Sequence, residues 1–268
     1  MTSHLTSHLY LLLEEIRRLV ALMRRYWMDE LSFAITIYLL FLGVLYMGGA
    51  LTGQVVQEQA KAATLVGMLM WQLSLGSMSV LGWSFYNEAA VGTLEHLYLS
   101  PFGAIRVFLA RSVANFLSML AVTSISGALA ILTTGVRLHL PPLELAVILP
   151  ASVAGTYGFG FLIAALTLTF KRTQQVMQLL QFFFLIFTGA AVPLEQMHWS
   201  LRAFGELLPM TAGLRALRAV TVAGAGLGDV TGDLLRMGIT TAAWLALGIA
   251  VYRVADRRAR LRGSIGQY

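Results

Sequence analysis

Long stretches without a charged residue dominate this chain of 268 residues. A helix needs about 20 mainly apolar residues to cross the hydrocarbon core of a bilayer. Five stretches exceed that length, and the sixth is flanked by Arg236 and Arg253, whose stems can lie in the membrane while their heads stay at its surfaces. The pattern predicts an all-α membrane protein, a single domain over residues 1–268, with six transmembrane helices. The stretches are residues 31–57, 62–87, 112–136, 145–170, 173–194 and 237–252.

Residues 5–30 have a different pattern, with apolar and charged residues on opposite faces of a helix. The apolar positions recur at i, i+3, i+4 and i+7, which is typical of an amphipathic helix. Arginines lie on the polar face, and Tyr26 and Trp27 lie near the end. We therefore expect an interfacial helix in the plane of the lipid headgroups. The alternative is a cytosolic helix packed on a partner.

A third pattern covers residues 193–225, between the fifth and sixth predicted spans. Two amphipathic pieces flank Pro209, and neither is long or apolar enough to cross the membrane. Irregular backbone at membrane depth is tolerated only where it is buried in protein or faces a cavity. The segment predicts a re-entrant pair of short helices that dip into the outer leaflet.

Composition and charge placement support a membrane protein. The chain is 57% hydrophobic and 12% charged, whereas soluble domains carry about 25% charged residues. Thirteen of the 19 Lys and Arg residues lie before span one, between spans two and three, between spans four and five, or after span six. An excess of Lys and Arg marks the cytoplasmic side. Both termini are therefore expected in the cytoplasm, with the protein in the plasma (inner) membrane. Because the basic residues flank spans, no nucleic-acid partner is expected.

Several kinds of chemistry are missing from the sequence. There is no cysteine, which excludes disulfides and thiolate metal sites. The two lysines, Lys61 and Lys171, follow Ala60 and Phe170, so neither can belong to a phosphate-binding P-loop. No Asp, Glu, Lys or His lies well inside a predicted span, which argues against proton- or sodium-coupled transport and intramembrane hydrolysis. We predict no catalytic residue, no metal site and no cofactor in this chain.

A short polar segment at residues 87–103 separates the second and third spans. It carries an E-x3-G-T-L-E-x-L-x2-S-P pattern and resembles the loop at this position in permease subunits of the type-2 ABC exporter family. There the loop forms a cytoplasmic coupling helix that docks on an ATPase. The matching residues are Glu88, Gly92, Thr93, Leu94, Glu95, Leu97, Ser100 and Pro101.

The resemblance extends to the segment after span five. Its P-L-x-x-(L/M)…L-P-x-T…L-R pattern includes Pro193, Pro209 and Arg215. The resemblance implies two separate P-loop ATPase subunits, which would bind ATP and Mg, and a second copy of the permease or a paralogue of it. The chain itself would be a transport subunit and not an enzyme.

Polar and aromatic residues within the spans have two interpretations. They could line the translocation path at a dimer interface, or they could form interhelical hydrogen bonds and packing contacts. Gln174, Gln178 and Gln181 recur at i, i+4 and i+7 on span five, predicted over 174–192. The other residues of this set are Phe182, Trp71 and Gln72.

The resemblance implies export driven by ATP hydrolysed in another subunit, and the placement of the aromatic residues favours a small amphiphile, drug or lipid as the substrate. Two alternatives stay open. A polysaccharide or glycolipid exporter would be expected to have an aromatic ladder along several spans, whereas the aromatic residues here cluster at span ends and in one run. A membrane scaffold without transport is the alternative outside the class.

Overall fold

The computed structural model describes residues 2–52, 57–91, 104–169, 174–191, 194 and 197–261. Within these ranges the protein consists of nine α-helices and has no strand, which confirms the predicted all-α class. The helices are α1 (Thr2–Arg25), α2 (Trp27–Thr52), α3 (Glu58–Val91), α4 (Ala104–Thr134), α5 (Pro142–Thr169), α6 (Gln174–Phe187), α7 (Trp199–Gly205), α8 (Pro209–Ala223) and α9 (Thr231–Leu261).

Five of the described helices, α2, α3, α4, α5 and α9, are long and apolar enough to cross a membrane. The predicted sixth span is not confirmed. Its helix, α6, has 14 residues, which rise about 21 Å at 1.5 Å per residue against a hydrocarbon core of about 30 Å. Beyond Phe187 the chain turns through Gly189, whose φ is +79°. A left-handed glycine at this position ends a helix, although the apolar composition continues.

The amphipathic segment and the first span are separate helices, as predicted, but the boundary differs. The break lies at Tyr26, between α1 and α2. Residues 27–30, which the sequence assigned to the amphipathic segment, therefore begin the transmembrane helix.

The centre of the protein is formed by α3 and α5. In the most apolar 18-residue stretch of α3, 78% of the residues are buried, whereas in that of α9 11% are buried. Nevertheless, α9 approaches α5 closely along one face, because a Cβ added to Gly158 would overlap the Trp244 carbonyl group and one added to Gly248 would overlap the Gly158 carbonyl group. Small residues permit such backbone contact between membrane helices.

The segment between α6 and α9 contains the two short helices expected around Pro209. Pro209 occupies the first turn of α8, where its missing N–H removes no helical hydrogen bond. The helix ends at Gly224, which has a left-handed conformation with φ +70°. Ten residues of α8 are buried against α3, α5 and α9. The descent of this pair into the outer leaflet stays a prediction.

Candidate functional site

The predicted ATPase-coupling residues lie at the junction of α3 and α4. Glu88 belongs to the last turn of α3, and its side chain lies outside the described residues. The other seven, Gly92 to Pro101 in the motif, also lie outside them. The 34 residues of α3 rise about 51 Å at 1.5 Å per residue, which exceeds the hydrocarbon core of about 30 Å. Glu88 is thus carried on a helical extension of the span.

The N-terminal helix α1 is attached to α4 near the same end of the bundle. Arg111 Nε lies 3.5 Å from Glu15 Oε2, and these two side chains are only 10% and 12% exposed. Eight residues further along α1, Met23 Sδ accepts a hydrogen bond of 3.1 Å from Ser118 Oγ. From the first contact to the second, the residue number rises in both helices, so α1 and α4 are parallel neighbours.

The sequence pattern predicted Glu15 on the polar face of α1 but did not identify a partner for it. Shielding from water strengthens an ion pair of this kind and makes removal of either partner costly. Glu15 and Met23 lie on the half-buried face of α1 together with Leu12, Ile16 and Leu19, so α1 packs on α4 through a mainly apolar face that includes this ion pair. The position of α1 in the headgroup plane stays a prediction.

The glutamines of α6 do not share one environment. Gln181 donates from Nε2 to Ser79 Oγ at 2.8 Å, and its backbone carbonyl accepts a hydrogen bond of 2.9 Å from Trp71 Nε1. By contrast, Gln178 is exposed and Phe182 is 63% exposed. The side chain of Gln174 lies outside the described residues. Gln181 and Trp71 thus join α6 to α3, while Gln178 and Phe182 lie on the exposed side of α6.

Gln72 was grouped with Trp71 in the sequence, but the two side chains differ in surroundings. Gln72 is 0% exposed, and neither Oε1 nor Nε2 has a hydrogen-bond partner among the described residues. A buried polar group without a partner is costly and calls for an explanation. The sequence could identify Gln72 as a polar residue in a span, but not its isolation.

Charged side chains join α8 to the helices around it. Arg215, predicted as part of the re-entrant segment, lies 2.6 Å from Glu206 Oε2 through Nη2 and 3.3 Å from Asp233 Oδ1 through Nε. The Glu206 carboxylate precedes α8 and the Asp233 carboxylate begins α9, so one guanidinium links three segments. The predicted Pro193 lies outside the described residues.

Arg218, one turn after Arg215, was not singled out from the sequence. Its Nε donates to the Ala63 carbonyl at 3.0 Å and its Nη2 to the Ala190 carbonyl at 3.3 Å. Both arginines line a cavity of about 410 Å³ that also includes Thr188 and Thr211. The i, i+3 spacing of two arginines in an apolar helix was the available sequence signal.

Metal binding has no support within the described part of the chain. No group of three or more His, Cys, Asp or Glu residues that could hold a metal ion occurs there. The arrangement instead offers hydrogen-bonding and charged groups between helices, together with exposed polar and aromatic groups on α6.

Comparison with known families adds a direct assignment. The family model described as ABC-2 type transporter matches residues 16–222, well over half of the chain. The matched region runs from α1 to the end of α8 and includes the predicted coupling segment. No curated protein matches the chain.

Proposed function

Because the chain belongs to the ABC-2 type transporter family, we propose that it exports a small amphiphile, drug or lipid from the cytoplasm. It is a multi-pass permease subunit, and its family implies ABC ATPase subunits as partners. Two such ATPases would bind ATP and Mg, and a second permease copy or paralogue would complete the path about a two-fold axis.

The observation that carries the coupling proposal is the length of α3. The helix has 34 residues, which rise about 51 Å at 1.5 Å per residue, whereas the hydrocarbon core is about 30 Å thick. A continuous helix can transmit displacement at one end to the packed core at the other. Movement of an ATPase against the Glu88–Pro101 motif would reach α3 in this way.

Attachment of α1 provides a second mechanical link. The Glu15–Arg111 ion pair joins α1 to the first turns of α4, which follows the coupling segment in the chain. A push on this end would therefore move α1, α3 and α4 together. The path would open between α2, α3 and α6 of the two protomers, with exposed Gln178 and Phe182 at its wall.

Coupling can be tested with Glu88→Ala and Glu95→Lys in the permease co-expressed with its ATPase. Both variants should insert normally but lose ATPase co-purification or substrate-stimulated hydrolysis. Glu58→Ala is a matched control, because Glu58 lies at the opposite end of α3, where its side chain is 69% exposed and pairs with Lys61. Wild-type coupling in both loop variants would contradict the proposal.

Transport itself should be measured in proteoliposomes with fluorescent lipid analogues and cationic dyes. ATP-dependent movement away from the ATPase side supports export. A scaffold would show no ATP-dependent movement, and a polysaccharide exporter would respond to glycan substrates but not to amphiphiles.

Orientation can be tested separately in this cysteine-free chain. Cysteines at His139 or His198 should react with an impermeant maleimide from outside, whereas cysteines at His96 or Gln267 should not. Labelling of position 96 in intact cells would reverse the orientation that the distribution of Lys and Arg predicts.

A further inference from the structure

A second cavity, of about 330 Å³, lies between α3, α4, α5 and α8. Its described lining residues are uncharged and mostly aliphatic, including Leu69, Leu73, Leu120 and Leu145. It lies near the start of α3 and the end of α4, at the opposite end of these helices from the coupling segment. The volume is at the lower limit for pockets that hold small organic ligands.

One polar group in this cavity has no internal partner. Thr123 is 6% exposed and lines the cavity, and its Oγ1 has no hydrogen-bond partner among the described residues. Its neighbours behave differently: Ser124 donates to the Leu120 carbonyl at 2.8 Å, and Thr134 donates to the Ala130 carbonyl at 2.6 Å. Hydroxyl groups in membrane helices usually bond to a carbonyl one turn back, so the Thr123 hydroxyl is an exception within its own helix.

The isolated amide of Gln72 lies at the same level of the α3–α4 contact. A Cβ on Gly127 would lie 3.1 Å from a Leu69 methyl group, and one on Gly76 would overlap the Met119 side chain. These pairs fix the antiparallel register of the two helices. Gln72 lies between Leu69 and Gly76 on α3, as Thr123 lies between Met119 and Gly127 on α4. Two buried polar groups without partners therefore occupy one layer of the same seam.

We propose that this cavity binds a neutral amphiphile. The aliphatic walls would hold its hydrocarbon part, and Thr123 would form a hydrogen bond to a hydroxyl or carbonyl group. A charged headgroup is disfavoured because no described lining residue could neutralise it. The site is distinct from the α6 surface proposed as the path. The statement that the bound amphiphile is a transported substrate rests on the proposed function, whereas the binding of an amphiphile in this cavity does not.

The test uses photolabelling of the full chain in membranes without the ATPase. One probe is dodecanol with a diazirine in its chain, and the other is dodecane with the same group. Both should label peptides of α3 and α4 that line the cavity. Thr123→Val should reduce labelling by the alcohol about fivefold, the effect of one neutral hydrogen bond, and leave labelling by the hydrocarbon unchanged.

Thr221→Val is the matched control. Thr221 lines the same cavity, but its hydroxyl is already bonded to the Leu217 carbonyl at 2.7 Å, so both probes should label this variant as they label wild type. Ala128→Trp should reduce labelling by both probes, because Ala128 lines the cavity and the larger indole side chain would occupy part of its volume.

Retained labelling by dodecane shows that Thr123→Val has kept the cavity intact. Equal alcohol labelling of wild type and Thr123→Val, equal losses in the two threonine variants, or labels confined to other helices would overturn the proposal. The expected labelling without any ATP-driven transport would leave the amphiphile site standing and remove the exporter assignment.

Discussion

The contact between α5 and α9 and the contact between α3 and α6 are built in different ways. The first brings backbones together, because Gly158 and Gly248 leave no room for even a methyl group. The second consists of side-chain contacts, namely hydrogen bonds from Trp71 and Gln181 and the packing of Met177 against Gly82. The outer face of α6 is exposed at Leu179 and Phe182.

This difference indicates which helices can move relative to one another. Lipid tails are as apolar as leucine, so membrane helices associate through close packing and hydrogen bonds rather than through the hydrophobic effect. Two helices whose backbones are in close contact lose that packing as a whole when they separate, whereas two side-chain hydrogen bonds can be replaced by bonds to other partners. We therefore expect α5 and α9 to move as one body and α6 to shift relative to α3 during transport.

The α8 helix belongs with the fixed body. A Cβ on Gly213 would overlap Ser152 of α5, and Arg215 is paired with Asp233 of α9. Trp244 of α9 also donates from Nε1 to the Leu207 carbonyl at 2.8 Å. The segment between α6 and α9 is thus attached to α5 and α9 by packing, charge and hydrogen bonding together.

The largest effect is expected from Gly158→Leu. The new side chain would meet the backbone of Trp244, which cannot rotate away, so α5 and α9 must separate. We expect a loss of about 3 kcal/mol, the upper end for overpacking, seen as a lower melting temperature in detergent and poor yield. Gly238→Leu is the control, since an added Cβ there meets no atom within 4 Å. Similar melting temperatures for the two variants would remove the distinction between the contacts.

A smaller loss is expected from Arg215→Gln. The change leaves the carboxylates of Glu206 and Asp233 partly buried without their cation, and these side chains are 28% and 22% exposed. Partial exposure lowers the cost to roughly 1–2 kcal/mol, between surface and buried pairs. Thermal unfolding would measure it, with Lys61→Gln as the control, because its partner Glu58 is 69% exposed. An equal, negligible effect of both changes would show that the arginine does not hold α8 in place.

The smallest effects separate the two glutamines of α6. Gln181→Leu removes the bond to Ser79 and should lower stability by about 0.6 kcal/mol. Gln178→Leu should leave the melting temperature unchanged, because Gln178 is exposed, but should alter the stimulation of ATPase activity by different amphiphiles. Unchanged stimulation by Gln178→Leu, with a lower melting temperature, would assign the whole stripe to helix packing.

The long helices could be predicted because their cause is local. The chain must cover about 30 Å of hydrocarbon with satisfied backbone groups, and the spacing of charges along the sequence records where this happens. The break around Pro209 is local for the same reason, since proline has no N–H to donate. The end of α6 was missed because a left-handed turn at Gly189 leaves no trace in hydropathy.

The sequence by itself determined the all-α membrane class, five of the six predicted spans and the family that residues 16–222 match, which implies ABC ATPase subunits as partners. Only the tertiary structure decided which polar residues have partners. Gln181 and Gln72 are both glutamines in apolar helices, yet Gln181 bonds to Ser79 and Gln72 has no hydrogen-bond partner among the described residues. Glu15 reaches Arg111 across 96 positions of chain. Such pairings depend on the register between helices, which is set by many weak side-chain contacts at once and is not encoded at any single position.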